Sequence, residues 1–506
     1  MKKNLFHILI GLMLAVLTGC GQMELGLSPV SSITDGNFWK SPEQWESFAV
    51  GIHARLRTHT YNLFTLGGMR ADEFGETSFG GESTNNRERL WLNTLNVDNP
   101  GVTGYGDFYS NINQINLLIK KTEEATVLSD SDKGYYLGQG YGLRAFYYFH
   151  LLRSWGNVIL HLEPTTSFDL NALAKPANPA SEVMAQIKSD IAKSEAGFGN
   201  NFTIKQNKAL WSKSATLMLK AEAFLWAARQ MGGGNADASA AKAALTEIQT
   251  NVPALGLLDS YKDIFANTTK GNKEIIFAIR NDLLEYTLMG GNFLPFLPQI
   301  NYIGNYYDTL SRVKIDVQKD LVGGTGGFQA PIKKSTYWRF SNDDSRKWAS
   351  IKGAFRLEGE TLTLAGCYVN KFQGYINAGS RVLADDYPIY RYADLLLMLA
   401  EAKSLIGEDP AQEINLVRKR AFGASYTVEK YGFPNKAGDN NVHEAILAER
   451  FYEFISEGKR WYDLRRFGKE YVFKYTTVTE EYKLLWPVDL VTLTNNKALT
   501  QTPGYN

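Results

Sequence analysis

Cysteine is nearly absent from this chain: Cys20 and Cys367 are the only two in 506 residues. No disulfide forms within the chain if Cys20 is used elsewhere, so stability must come from packing. Long hydrophobic runs are missing too. After Cys20 nothing approaches the roughly 20 apolar residues that a membrane-spanning helix requires. Charge of one sign is also lacking. Lys plus Arg number 54 against 53 Asp plus Glu, so no global field steers a polyanion to the surface; nucleic acid is not an expected partner and neutral ligands fit best.

Catalytic patterns are equally scarce. His7, His53, His59, His150, His161 and His443 are scattered, with no HExxH helix and no Cys/His cluster of zinc spacing. His150, on the apolar side of a helical pattern, reads as a structural histidine. There is no GxSxG elbow and no P-loop. The run Gly138-Gln139-Gly140-Tyr141-Gly142 lacks both Rossmann spacing and a preceding strand, and reads as a loop or helix start. Acidic pairs such as Asp72-Glu73 and Asp343-Asp344 do not identify a glycosidase, whose carboxylates face each other across a sugar at about 5–10 Å. No catalytic residue, metal or cofactor is expected.

What is present begins at the N-terminus. Lys2 and Lys3 precede an apolar run from Leu5 to Leu17, the length of a signal-peptide core and too short to span a bilayer. It ends in Leu17-Thr18-Gly19-Cys20, which looks like a lipobox. Removal of residues 1–19 would leave Cys20 acylated, and two or more acyl chains hold a protein on a membrane where one barely does. Residues 20–40 then form a lipidated tether.

Helical periodicity dominates the rest. Ser41-Pro42-Glu43-Gln44 places a capping serine, proline at the first helical position and glutamine at the third, which predicts a helix through about His59. Further apolar stripes run through Phe108, Ile112, Ile115 and Ile119, through Leu143, Phe146, Tyr147, His150 and Leu151, through Val183, Met184, Ile187 and Ile191, and through Leu217, Ala221, Phe224, Leu225 and Ala228. An alanine-rich helix is expected over about 236–250. In residues 443–468, Ile446, Leu447, Arg450, Phe451, Phe454 and Ile455 share one side of a helix. Residues 388–402 repeat the theme with Tyr392, Leu395, Leu396 and Leu399. Together with VRKRA at 417–421, these make about four helical pairs, which suits a tetratricopeptide-like superhelix, although the usual repeat signature is absent. Two long segments interrupt this pattern, 60–106 and 270–384. The second opens with a strand-like EIIFAIR at 274–280 and contains a GGTGG turn at 323–327 and TYWRF at 336–340. Long loops inside a compact chain are usually functional, and the aromatic content of these argues against disorder.

HEAILAERFYEFISEGKRWYDLRRFG at 443–468, PIYRYADLLLMLAEA at 388–402 and the closing LTQTPGY at 499–505 closely resemble the SusD/RagB family. DGNFWKSPEQWESF and LRAFYYFHLLRSWGNV look like its start and central helix. One departure is Phe451, at a position often held by a second arginine, which weakens one expected ion pair. The resemblance implies a predominantly α fold, a tetratricopeptide-like superhelix carrying long irregular loops and minor β structure. It implies an N-terminal helical region over 41–265 and a C-terminal region over 266–506 with a loop-rich insert at 270–384, in one compact unit. It also implies a surface-facing outer-membrane lipoprotein that captures an oligosaccharide and delivers it to a SusC-like TonB-dependent transporter, without bond cleavage. An α-helical glycoside hydrolase, or a peptide-cargo or scaffold lipoprotein on the same repeat, are the alternatives.

The residues that carry this resemblance are expected to be structural. Glu401, Glu449, Arg450, Glu453, Arg460 and Arg465 stand beside so many aromatics that they must be compensated once partly buried, as ion-paired and hydrogen-bonded contacts between packed helices. Ligand residues are instead sought among loop aromatics: Trp91, Tyr302, Tyr306, Tyr307 and Trp338, with Asp72 and Glu73 as hydroxyl acceptors. Flat rings receive the C–H faces of sugars, while hydroxyls need a few oriented polar groups.

Overall fold

The computed structural model describes residues 38–505, except 77–78, 80, 82, 103–104, 166–172, 289–292, 318–319 and 321–326. The signal peptide, Cys20 and most of the GGTGG segment lie outside the described residues. Six long helices form the first part: α1 (Pro42–Gly68), α2 (Tyr105–Glu123), α3 (Asp130–Trp155), α4 (Ala180–Phe198), α5 (Lys213–Gln230) and α6 (Gly234–Asn251). Each packs on its neighbours in sequence, α1 on α2, α3 on α4 and α5 on α6. A fourth pair, α9 (Tyr392–Leu405) with α10 (Ala411–Phe422), packs against α5 and α6. The expected superhelix of four pairs is therefore present.

Local chemistry sets the helix ends. The Gln44 side chain accepts the Ser41 N–H at 3.2 Å, the capping contact read from the sequence. α1 continues past His59 because Leu63, Phe64 and Leu66 extend its buried face. It stops where a Cβ at Gly67 would stand 1.7 Å from the Gly458 carbonyl oxygen. The glycine run 138–142 is not a loop: it lies inside α3. Gly134, Gly138 and Gly142 fall at four-residue spacing and so share one face. A Cβ at Gly138 would lie 2.7 Å from the Phe198 ring, and one at Gly142 only 2.1 Å from Trp211 Nε1. These glycines admit α4 and Trp211 to close approach, which outweighs their low helix propensity.

Among the described residues, three two-stranded antiparallel sheets complete the fold. β1 (Ile275–Ile279) pairs with β6 (Tyr387–Arg391), Ile279 opposite Tyr387, and both strands are buried throughout. PIYR is therefore a strand that feeds α9 and not its first turn. The hairpins β2 (Ile351–Glu358) with β3 (Thr361–Val369), and β4 (Tyr375–Asn377) with β5 (Ser380–Val382), belong to the loop layer. So do two short helices, α7 (Lys334–Arg339) and α8 (Ser345–Ser350). The expected helix over 443–468 is two helices, α11 (Val442–Phe454) and α12 (Arg460–Phe467), divided at Ser456 and Gly458, both with positive φ.

Charges in these C-terminal elements are buried and paired. Arg346 meets Asp344 at 2.7 Å, Glu449 at 3.0 Å and Glu453 at 3.3 Å. Arg391 meets Glu274 at 2.7 Å and both Glu453 and Glu457 at 2.9 Å. Arg420 also reaches Glu453. Three guanidiniums thus surround one carboxylate and hold it far below the usual range despite its burial. Arg450 bridges Asp394 and Asp463, Arg466 holds Glu401 at 3.0 Å and Arg460 holds Asp72 at 2.8 Å. Arg465 differs: it donates to the Arg153 carbonyl, and burial pushes its guanidinium down to about 9. Phe451 receives Arg339 at 4.0 Å and Arg460 at 5.0 Å over its ring, cation–π contacts that stand beside the ion pairs both guanidiniums make with Asp72. His150 is buried beside Phe146, Tyr462 and Arg153, and burial depresses its basicity strongly. It is structural.

Candidate functional site

The loop layer is anchored from below by the segment that leaves α1. The Lys333 N–H donates to the Glu73 carbonyl at 3.1 Å. The Thr336 hydroxyl donates to the Asp72 carbonyl at 3.2 Å, and Arg339 reaches the Asp72 carboxylate at 2.9 Å. These contacts fix the roll of α7, so Tyr337 turns inward and the next residue, Trp338, stands 60% exposed. α8 begins where the Asp344 carboxylate accepts the Arg346 N–H at 3.0 Å, and it carries buried Lys347 and half-buried Trp348.

Lys347 organises three rings. Its Nζ lies 4.3 Å from the Tyr337 ring centroid, 5.1 Å from Trp348 and 5.4 Å from Trp338. It also donates to Asn342 Oδ1 at 2.7 Å, while Trp348 Nε1 donates to the Asn342 carbonyl at 3.0 Å. Burial lowers the affinity of this ammonium for its proton. The cation therefore holds the two tryptophans as a fixed surface platform. From Trp348 a cavity of about 360 Å³ runs past Lys262, Asp343, Gln373 and Arg420. It shares Lys262, Ala349 and Gln373 with a second cavity of about 270 Å³. Flat apolar rings beside convergent polar side chains can hold an amphipathic, hydroxyl-rich ligand. No group of three or more potential metal ligands occurs among the described residues.

The residues anticipated from sequence are not brought together here. Trp91 belongs to a one-turn helix, Glu88–Trp91, and is a core residue, 5% exposed. The Asp72 carboxylate is held between Arg339 and Arg460, and Glu73 is fully buried. All three lie beneath the loops: Trp91 is packed in the core, Asp72 is engaged by two guanidiniums, and the Glu73 carboxyl is enclosed away from any ligand. Tyr306 is half-buried in a small satellite core, its hydroxyl donating to the Phe79 carbonyl at 2.9 Å. Tyr307 is half-buried and laddered to Phe355 of β2. Only Tyr302 and Trp338 are exposed. Sequence reading missed Lys347, Trp348, Asn342 and Gln373. Its one available signal was a second tryptophan ten residues beyond Trp338 in the same loop-rich insert.

The architecture thus defines a helical-repeat scaffold whose long insert carries a loop-built aromatic groove. The SusD family model matches residues 335–483, the segment that holds Trp338, Trp348 and the guanidiniums of Arg346, Arg391, Arg420, Arg450, Arg460 and Arg466. A solved SusD superfamily protein from Bacteroides vulgatus is 43% identical, covers 92% of this chain and 100% of that one, and superposes with TM-score 0.86. The structure of B. fragilis NanU is similar at 45% identity over 95% of this chain and 100% of that one, TM-score 0.89. The starch-binding protein SusD of Bacteroides thetaiotaomicron is 23% identical over 99% of both chains. The chain belongs to the SusD family.

Proposed function

We propose that this protein is a cell-surface glycan-binding lipoprotein that captures an oligosaccharide at the Trp338/Trp348 platform and passes it to a SusC-like TonB-dependent transporter. The platform carries the reading: two tryptophans fixed about one ammonium beside a polar groove match the alternation of C–H faces and hydroxyls on a sugar chain. The likeness to a relative that binds starch supports a glycan as the cargo. No helix among the described residues is long and apolar enough to cross a membrane, so onward movement falls to a separate channel. The reading calls for binding without bond cleavage.

The test is a glycan array of maltohexaose, laminarihexaose, xylohexaose, chitohexaose and mucin-type O-glycans, followed by calorimetry. Stacking contacts of about 1 kcal/mol each place the affinity between micromolar and millimolar. Trp338→Ala and Trp348→Ala should each weaken binding with the thermal transition near the wild-type value. Unchanged affinity in both removes the platform from the site, and new reducing ends after long incubation reverse the non-enzymatic reading.

A further inference from the structure

Most polar groups along the cavity of about 360 Å³ beside Trp348 are already bonded inside the protein. The Tyr261 hydroxyl donates to the Glu453 carbonyl at 2.6 Å, and the Ser345 hydroxyl to the Ala421 carbonyl at 2.8 Å. The Arg420 guanidinium is engaged by Glu274 and Glu453. Asp259, Lys262 and Asp343 are exposed side chains at the rim, and Asp343 is tied to Lys430 and Tyr431. Gln373 differs from all of these. It is half-buried, its side-chain amide has no hydrogen-bond partner among the described residues, and neither amide atom is shut off from solvent. Its backbone is fixed beside Trp348. The Asn370 N–H donates to the Ser350 carbonyl at 2.9 Å and the Asn370 side chain to the Trp348 carbonyl at 3.2 Å, which ties this strand of chain to the end of α8. Arg381 donates to the Phe372 carbonyl at 3.2 Å and to the Gln373 carbonyl at 2.7 Å. The groove thus holds one anchored, open and unused amide.

We propose that Gln373 is the specificity-determining residue of the groove: its amide reads two adjacent free hydroxyls on one ring of a glycan stacked on Trp348, so the cargo is a chain whose inner rings keep such a pair. The inference rests on the glycan-binding reading above. An amide presents an acceptor and a donor side by side, and two neighbouring hydroxyls present a donor and an acceptor side by side, so the pair closes with two hydrogen bonds. A single hydroxyl satisfies only half of the amide. Stacking cannot supply this discrimination, because the C–H face of one sugar ring resembles that of another. Linkage then decides which chain is held. An unsubstituted 1,4-linked hexose or pentose chain keeps its 2- and 3-hydroxyls free on every inner ring. A 1,3-linkage uses the 3-hydroxyl and leaves no adjacent pair on an inner ring. Specificity is the difference between the two affinities, and Gln373 sets it.

Calorimetry of the full chain with maltohexaose, xylohexaose and laminarihexaose tests this, using Gln373→Leu, Gln373→Ala and Trp348→Ala. Wild type should bind at least one of the two 1,4-linked chains about tenfold more tightly than 1,3-linked laminarihexaose, the contribution of two hydrogen bonds. Gln373→Leu, close in volume, should abolish that preference by weakening the 1,4-linked ligand and leaving laminarihexaose unchanged. Gln373→Ala should do the same and covers the case in which leucine disturbs the fold. Trp348→Ala should weaken all three ligands, since stacking does not read linkage. Melting curves near wild type separate lost contacts from lost structure. If neither 1,4-linked chain binds more tightly than laminarihexaose, or if both Gln373 variants keep the wild-type preference, the assignment to Gln373 is wrong, while binding of any array glycan leaves the glycan reading standing. If no array glycan binds wild type, the glycan reading fails and the assignment falls with it.

Discussion

Glu73 offers the sharpest test of the interior. It is fully buried, and neither carboxylate oxygen has a partner that meets hydrogen-bond geometry. Burial, with adjacent Asp72 adding repulsion, pushes its carboxyl up to about 8; the nearby Ser456 N–H and the charges of Arg460 and Lys371 pull the other way without offsetting it. Between pH 4.5 and 8 the folded protein keeps a proton that the unfolded chain has released. The unfolded state then binds fewer protons, so stability falls as pH rises, by about 1.4 kcal/mol per pH unit from this residue. At pH 7 the accumulated penalty is at most about 3 kcal/mol. Glu73→Gln keeps the volume and removes the titration, although its amide is also unpaired at a cost of about 1–3 kcal/mol. The variant should therefore be no more stable than wild type near pH 5 and should gain on it steadily up to pH 8. Urea midpoints of both proteins at pH 5, 6, 7 and 8 measure this. A difference that stays flat across that range, or that grows toward acid, means that Glu73 is ionised in the fold and the burial argument is wrong.

Removing the shared carboxylate in Glu453→Ala leaves Arg346, Arg391 and Arg420 facing one another and should cost about 3–5 kcal/mol. Breaking the exposed Lys469–Glu481 pair in Glu481→Ala should change the thermal midpoint little, and equal losses in the two would refute the distinction. Gly142→Ala forces a Cβ toward Trp211 Nε1 and should destabilise by about 1–3 kcal/mol. Gly51→Ala, with open space where its Cβ would stand inside α1, should gain roughly 0.5–1 kcal/mol, and thermal melts of the pair check the sign of each. Cys20→Ala should release the protein from the membrane fraction or mislocalise it; a variant that stays as tightly membrane-bound as wild type, with both unlipidated, overturns the anchor.

The sequence by itself determined the helical scaffold and the role of its charges. Apolar residues at three- and four-residue steps, as in Ile112, Ile115 and Ile119, dictate which face is buried whatever the partner. Charges crowded among aromatics, as around Glu453, must be paired once they are buried. Tertiary structure decided what local pattern leaves open. The α3 glycines read as a loop or helix start, and not as helix interior, because nothing local records that Phe198 and Trp211 press against them. Asp72 and Glu73 read as hydroxyl acceptors because the cations that act on them, Arg460 and Lys371, stand nearly 400 and 300 residues away along the chain. The site followed the same rule. Trp338 was legible as a loop aromatic, but its coupling to Trp348 through Lys347 depends on how α7 and α8 turn on the α1 exit. The joining of residues 262–268, 371–375 and Asp385 into one cavity depends on long-range packing. Loops carry no period of their own, so the scaffold beneath them fixes which of their side chains meet.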